Sequence, residues 1–232
     1  MNFLNSFVNF FKDGGVFLYP LAIIFVVGVA IAIERFVYLT RETIRNRALW
    51  EELVPALGAG NFKQVVALTQ NSKASIATIL SYGVARVASA RRRDDVEKAM
   101  DESLLEVIPR IEKRTHFLSS LANVGLLIGL LGTITGLIEA FGAVATANPA
   151  DKASLLAASI SVAMNNTASG LAVAITLLLS HMFLEAKTTA LMDSLEIASV
   201  KFLNSITERQ TAESPAAAPP APRTPAAARG TV

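Results

Sequence analysis

The sequence predicts an all-α integral membrane protein with three transmembrane helices, the second and third extended into a cytoplasmic helical stalk. Three observations carry this reading. Residues 14–33, 117–138 and 153–180 contain no Asp, Glu, Lys or Arg, and each reaches the roughly 20 residues a helix needs to cross a ~30 Å hydrocarbon core. Charged residues make up only 17% of the 232, against 52% hydrophobic, where soluble proteins carry about a quarter. The basic residues are also segregated. Of 21 Lys and Arg, 13 lie from Arg41 to Arg114, five follow the third apolar run and Arg35 ends the first, which leaves Lys12 and Lys152. By the positive-inside rule the N-terminus and the loop before Lys152 face the periplasm, and the 41–114 segment and C-terminus face the cytoplasm. The basic excess is thus topological and no sign of nucleic acid. Cysteine is absent, which excludes disulfide frameworks and cysteine-based metal sites or nucleophiles.

The elements follow in order. In residues 1–13, Phe3, Phe7, Phe10 and Phe11 stand at helical spacing, as in an amphipathic helix on the periplasmic interface. Residues 14–39 form the first transmembrane helix. Its flank is not basic and no small-residue cleavage site precedes Glu34-Arg35, so it is read as retained rather than as a signal peptide. Residues 40–93 are a cytoplasmic helical region. Trp50, Leu53 and Leu57 share a helical stripe, Gly58 and Gly60 interrupt it, and Asn61 is placed to cap the next helix. Asp94-Asp95 suit a helix N-terminus and open segment 94–145, the stalk plus the second transmembrane helix. There Val96, Met100, Leu104, Val107 and Ile111 form one stripe, which Pro109 is expected to bend rather than end. After a periplasmic turn at 146–152, residues 153–210 hold the third transmembrane helix and its cytoplasmic extension. The Pro- and Ala-rich residues 211–232 read as a disordered tail.

The second span carries Gly125, Gly129, Gly132 and Gly136, within about 60° of one another on a helix of about 100° per residue. In the third, Ala163, Thr167, Gly170 and Ala174 likewise share a face. Small residues let helices approach closely in lipid, so these glycines are helix-packing candidates. Thr133 and Thr135 flank the first stripe. Asn165, Asn166, Thr167 and Ser169 cluster in the third span, and amides are costly to leave unbonded in hydrocarbon, so the cluster faces protein, a partner or water. No span holds a carboxylate, Lys or Arg near its middle. A chain that conducts ions must then receive its titratable group from elsewhere. Glu34, Glu139, Glu185, His116 and His181 lie at span ends and are expected at the interface. No zinc-protease, nucleophile-elbow or phosphate-loop motif is present, so no catalytic site, cofactor or metal site is expected.

The residues resemble the ExbB/TolQ branch of the MotA/TolQ/ExbB proton-channel family. Gly14-Gly15, Tyr19-Pro20 and Ile33-Glu34-Arg35 through Tyr38-Leu39 resemble the family's opening motif. The run from Gly129 to Gly136 (GLLGTITG) resembles its second-span motif, and that from Ala163 to Ile175 (AMNNTASGLAVAI) its third. The resemblance implies a bacterial inner-membrane homopentamer around a dimer of a single-span ExbD/TolR-like partner, whose membrane aspartate is the missing carboxylate. It also implies that Thr133 and Thr167 line the ion path, with proton flow delivering work to the periplasm. Asn165 and Asn166 are added as path-lining candidates, because Val162 stands where close relatives have a glutamate. Thr176 replaces the usual proline. These departures favour a divergent relative, for example one driving gliding or surface motility, with H⁺ or Na⁺ as the ion. The rival from another class is a non-conducting oligomeric scaffold. A secondary transporter would need broken helices and inverted repeats, and neither is present.

Overall fold

A computed structural model describes residues 15–87 and 93–213, with side chains as far as residue 206. The Phe-rich 1–13 segment, Arg91-Arg92 and the Pro/Ala-rich tail beyond Glu213 lie outside the described residues. The described residues are helical, without a strand: α1 Leu18–Gly58, α2 Phe62–Gln70, α3 Ser75–Val87, α4 Arg93–Glu112, α5 Thr115–Thr146 and α6 Lys152–Glu213. Three stretches are long and apolar enough to cross a membrane: α1, α4 with α5, and α6. At about 1.5 Å per residue, the 41 residues of α1 and the 62 of α6 run well past a ~30 Å hydrocarbon core. The first apolar run is thus continuous with a long polar helix, with no loop at its inner end.

The apolar core lies mainly in the extramembrane part. Leu53, Val65, Ile79, Leu80, Met100, Ile111, Leu191, Leu195 and Phe202 are buried together there. The most apolar windows of the three spans are only 17%, 22% and 33% buried. Their remaining surface is left to lipid or other chains, as suits helices that gain little from hiding apolar surface in hydrocarbon.

Polar side chains hold the cytoplasmic helices to α1. Asn61 caps α2, its Oδ1 accepting from Gln64 N at 3.3 Å, and Gly60 takes the positive φ of 65° that the turn requires. The start of α3 is capped from a distance. Glu42 Oε1 accepts from Ser75 N and Ser75 Oγ, both at 2.6 Å, and Asn46 Oδ1 accepts from Ile76 N at 3.0 Å. These carboxylate and amide oxygens satisfy N–H groups that a helix N-terminus leaves unpaired.

The stalk is interrupted just past Pro109. α4 runs through Pro109 to Glu112, and the break falls at Arg114, whose φ of 68° is left-handed. Freed carbonyls at such an end need partners, and the buried Arg35 guanidinium donates to the carbonyl of Ile111. Glu34 and Arg114 pair beside it at 2.8 Å, about half exposed. Between α5 and α6 the chain turns at Asn148–Asp151, where Asp151 N donates to Asn148 O at 3.0 Å.

Candidate functional site

α5 and α6 form the most extensive helix pair, and their crossing is made by absent side chains. A Cβ on Gly129 would lie 2.8 Å from the Gly170 Cα, and one on Gly170 would lie 2.8 Å from the Gly129 Cα. Above them, Gly132 faces Asn166 and Gly136 faces Ala163, each with 2.9 Å to a hypothetical Cβ. Gly125 is looser, at 3.3 Å from Val173. The backbones therefore touch along one stripe, the arrangement that small residues permit in lipid.

That close approach brings two hydroxyls together across the seam. Thr133 Oγ1 and Thr167 Oγ1 are 2.8 Å apart. Thr133 Oγ1 is also 2.7 Å from the Leu130 carbonyl, and Thr167 Oγ1 is 3.1 Å from the Gly129 carbonyl across the helix pair. Each hydroxyl carries one proton and two lone pairs. Two arrangements follow. Either Thr133 donates to Leu130 O while Thr167 donates to Thr133, or Thr167 donates to Gly129 O while Thr133 donates to Thr167. In both, the pair retains lone pairs for an external donor, and a hydroxyl released from its carbonyl can donate to an external acceptor. Both threonines are half-buried.

The other polar residues of the spans are placed differently. Thr135 turns back on its own helix, donating to Leu131 O at 2.9 Å, the usual fate of a membrane threonine. Ser169 likewise donates to Asn165 O at 2.7 Å. Asn166 is buried in the seam against Gly132, and its Oδ1 has no hydrogen-bond partner. Asn165 is half-buried and sits about 160° around α6 from Thr167, away from the hydroxyl pair. Val162 packs against the turn before α1, its Cγ1 3.7 Å from a Cβ position on Gly15.

Several contacts that position this seam carried no sequence motif. Gly28 in α1 admits Leu177 of α6 so closely that a Cβ there would lie 2.5 Å from Cδ2. At the inner end, Lys187 of α6 donates to Thr40 Oγ1 at 2.7 Å and lies 4.2 Å from the Phe36 ring centroid. A small residue opposite a bulky one, and a Lys spaced to reach back over aromatics, are signals legible only once the helix pairing is known.

Helices of membrane length, joined through a glycine seam that holds uncharged hydroxyls and no carboxylate at mid-span, define a polytopic helical membrane protein. The model of the MotA/TolQ/ExbB proton channel family matches residues 71–197, more than half of the chain, and the chain belongs to that family. Curated relatives agree. An ExbB homolog from Methanothermobacter thermautotrophicus is 27% identical over 206 residues, covering 85% of this chain and 69% of that protein. The biopolymer transport protein exbB1 of Vibrio cholerae is 29% identical over 163 residues, 69% of this chain and 71% of its own. An ExbB-like protein of Synechocystis is 27% identical over 172 residues, 73% of this chain and 81% of its own.

Proposed function

We propose that the chain is the channel subunit of an ion-driven inner-membrane motor that energises transport or movement at the cell envelope. It forms a pentameric ring around a dimer of a single-span ExbD/TolR-like partner. The partner's membrane aspartate meets the Thr133–Thr167 pair, protons pass between them, and the resulting motion delivers work to the periplasm. The observation that carries this reading is the hydroxyl pair itself, held 2.8 Å apart in spans that lack any charged group at that depth. The family membership supports it, and so do the ExbB names of the relatives. No catalytic chemistry is assigned to the chain.

A non-conducting scaffold needs the glycine seam but has no use for free hydroxyl lone pairs, and that difference sets the test. Thr133→Val and Thr167→Val keep shape while deleting the hydroxyl. Both variants are expected to assemble at normal levels in membranes and to lose proton flux and motor output. Wild-type flux in both would refute the assigned path and leave the scaffold. Asn166, whose Oδ1 is unpartnered in the seam, is assigned the polarity that Val162 cannot supply. An Asn165→Ala, Asn166→Ala double variant with unchanged flux would remove that part of the reading.

A further inference from the structure

At the inner end of the α5–α6 seam lies a second polar site. A cavity of about 330 Å³ is lined by Glu112 of α4, Thr115 and His116 of α5, and His181, Glu185 and Thr188 of α6. Three of its polar atoms are buried without a hydrogen-bond partner: Thr115 Oγ1, His181 Nδ1 and Thr188 Oγ1. Thr115 and Thr188 are 6% and 5% exposed, and buried hydroxyls left unpaired beside a polar cavity call for an explanation. A volume of this size with several polar partners admits more than one water. Among the described residues no three His, Asp or Glu side chains are arranged to hold a metal ion.

The cavity is in register with the hydroxyl pair. Thr115 lies eighteen residues before Thr133, and Glu185 eighteen residues after Thr167. Eighteen residues make about five full turns, so each returns to the same face roughly 27 Å along its helix. The residues of α6 that meet α1, Leu177 and Lys187, lie roughly 80° and 160° around from that face. Thr167 and Glu185 thus face away from Lys187, while His181 and Thr188 lie about 40° and 60° round α6 toward Leu177. Between the two levels Ala122, Ala174 and Leu177 are buried.

We infer that this cavity is a hydrated proton-acceptor site, the cytoplasmic mouth of the ion path, with His181 as the group that takes up and releases the proton. The inference rests on the channel reading above. A hydronium in the cavity gives its proton to the neutral His181 ring, and the imidazolium so formed releases a proton from Nε2 toward Glu185, whose carboxylate is 3.8 Å away and open to solvent. Water then carries it off, and the neutral ring regains its first tautomer by giving its remaining ring proton to cavity water and taking one back at the other nitrogen. Histidine suits such a relay because one ring nitrogen can accept a proton while the other donates one. The charged and titratable groups facing it are Glu112 from α4, His116 from α5 and Glu185 from α6. On the α1 side, Arg35 is bound to the Ile111 carbonyl and Lys187 to Thr40.

The absence of native cysteine permits a direct test on the full chain in inside-out membrane vesicles with its own membrane partner. Thr115→Cys and Thr188→Cys are expected to react with a water-soluble maleimide at least tenfold faster than Ala122→Cys and Ala174→Cys, because only a hydrated thiol ionises to react. His181→Gln is expected to slow proton flux about a hundredfold or more, as loss of a positioned proton carrier does, and added imidazole is expected to restore part of it. If His181→Gln does not reach the membrane, Glu185→Gln applies the same flux test from the rim. Cavity cysteines that label no faster than the seam controls would overturn the proposal. So would wild-type flux in His181→Gln or, where that variant does not reach the membrane, in Glu185→Gln. Flux lost in Thr133→Val but kept in these variants would sink the cytoplasmic mouth alone. Flux kept in all of them would sink the channel reading as well.

Discussion

A methyl group at Gly170 tests how closely function depends on helix approach. The Cβ of Gly170→Ala would meet the Gly129 Cα at 2.8 Å and the Gly125 carbonyl oxygen at 3.0 Å. Both are backbone atoms and cannot rotate aside. Carbon atoms rest about 3.5–4.0 Å apart, so the helices must separate by about 0.7–1.2 Å at this level. The same displacement stretches the Thr133–Thr167 contact from 2.8 Å beyond the roughly 2.5–3.0 Å of an O–H···O bond. Overpacking of this kind costs about 1–3 kcal/mol, and an interhelical membrane hydrogen bond contributes about 0.6 kcal/mol. Less the roughly 0.5–1 kcal/mol gained by replacing a mid-helix glycine, the variant is expected to be less stable by about 1–3 kcal/mol, read as unfolding in mixed micelles titrated with a denaturing detergent. Its proton flux is expected to fall although both threonines remain. Gly142→Ala is the matched control. A Cβ there meets nothing within 4 Å, and replacing a mid-helix glycine is expected to leave stability unchanged or raise it by up to about 1 kcal/mol. Equal stability of Gly170→Ala and the parent chain, with flux unchanged, would refute the argument that backbone contact sets the hydroxyl pair.

Three further outcomes follow from contacts outside the seam. Gly28→Ala drives a Cβ into Leu177, and the expected loss of about 1–3 kcal/mol should shrink when Leu177→Ala is added, as a double-mutant cycle in the same unfolding assay would record. Glu42→Ala removes the acceptor for Ser75 N and Oγ, with an expected cost of about 0.5–2 kcal/mol and faster hydrogen exchange in the first turn of α3. Arg35→Leu leaves the Ile111 carbonyl without its buried donor, a loss of about 1–3 kcal/mol that thermal melting of the detergent-solubilised chain should show.

The seam was legible in the sequence because its information is local. Glycines recurring every three or four residues mark a face without reference to any other helix, and Gly129, Gly132, Gly136 and Gly170 sit where that face meets its partner. The distant caps were not legible. Glu42 and Asn46 read as ordinary polar residues of a cytoplasmic helix, and their hydrogen bonds to Ser75 and Ile76 depend on how α1 lies beside α3. Arg35 and the break at Arg114 escaped for a related reason. Periodicity continues through Pro109, and the residue that takes the left-handed conformation is an arginine, with no glycine or asparagine to mark it. His116 and His181 were expected to be interfacial from their positions at span ends. Only the pairing of α5 with α6 places them in one cavity.

The uncharged mid-span has an energetic consequence for the proposed motor. A charged side chain near the bilayer centre costs about 2.5–3.5 kcal/mol on insertion scales, so a ring without one inserts without that penalty. In the proposed motor charge then enters with the partner's aspartate, which must be tolerated in both protonation states if it is to cycle. A site made only of donors would favour the carboxylate and hold it ionised. A site made only of acceptors would favour the acid and hold it protonated. Thr133 and Thr167 offer both: one hydroxyl proton can turn from the Leu130 or Gly129 carbonyl toward a carboxylate, and a free lone pair can receive the proton of the acid. Exchanging a carbonyl partner for a carboxylate keeps the number of hydrogen bonds nearly constant, so neither protonation state becomes a trap. A charged or donor-only side chain at either position is therefore expected to slow cycling more than Thr→Ser, which keeps the hydroxyl. Flux measured for Thr167→Lys and Thr167→Ser should separate the two, and equal flux in both would contradict the levelling argument.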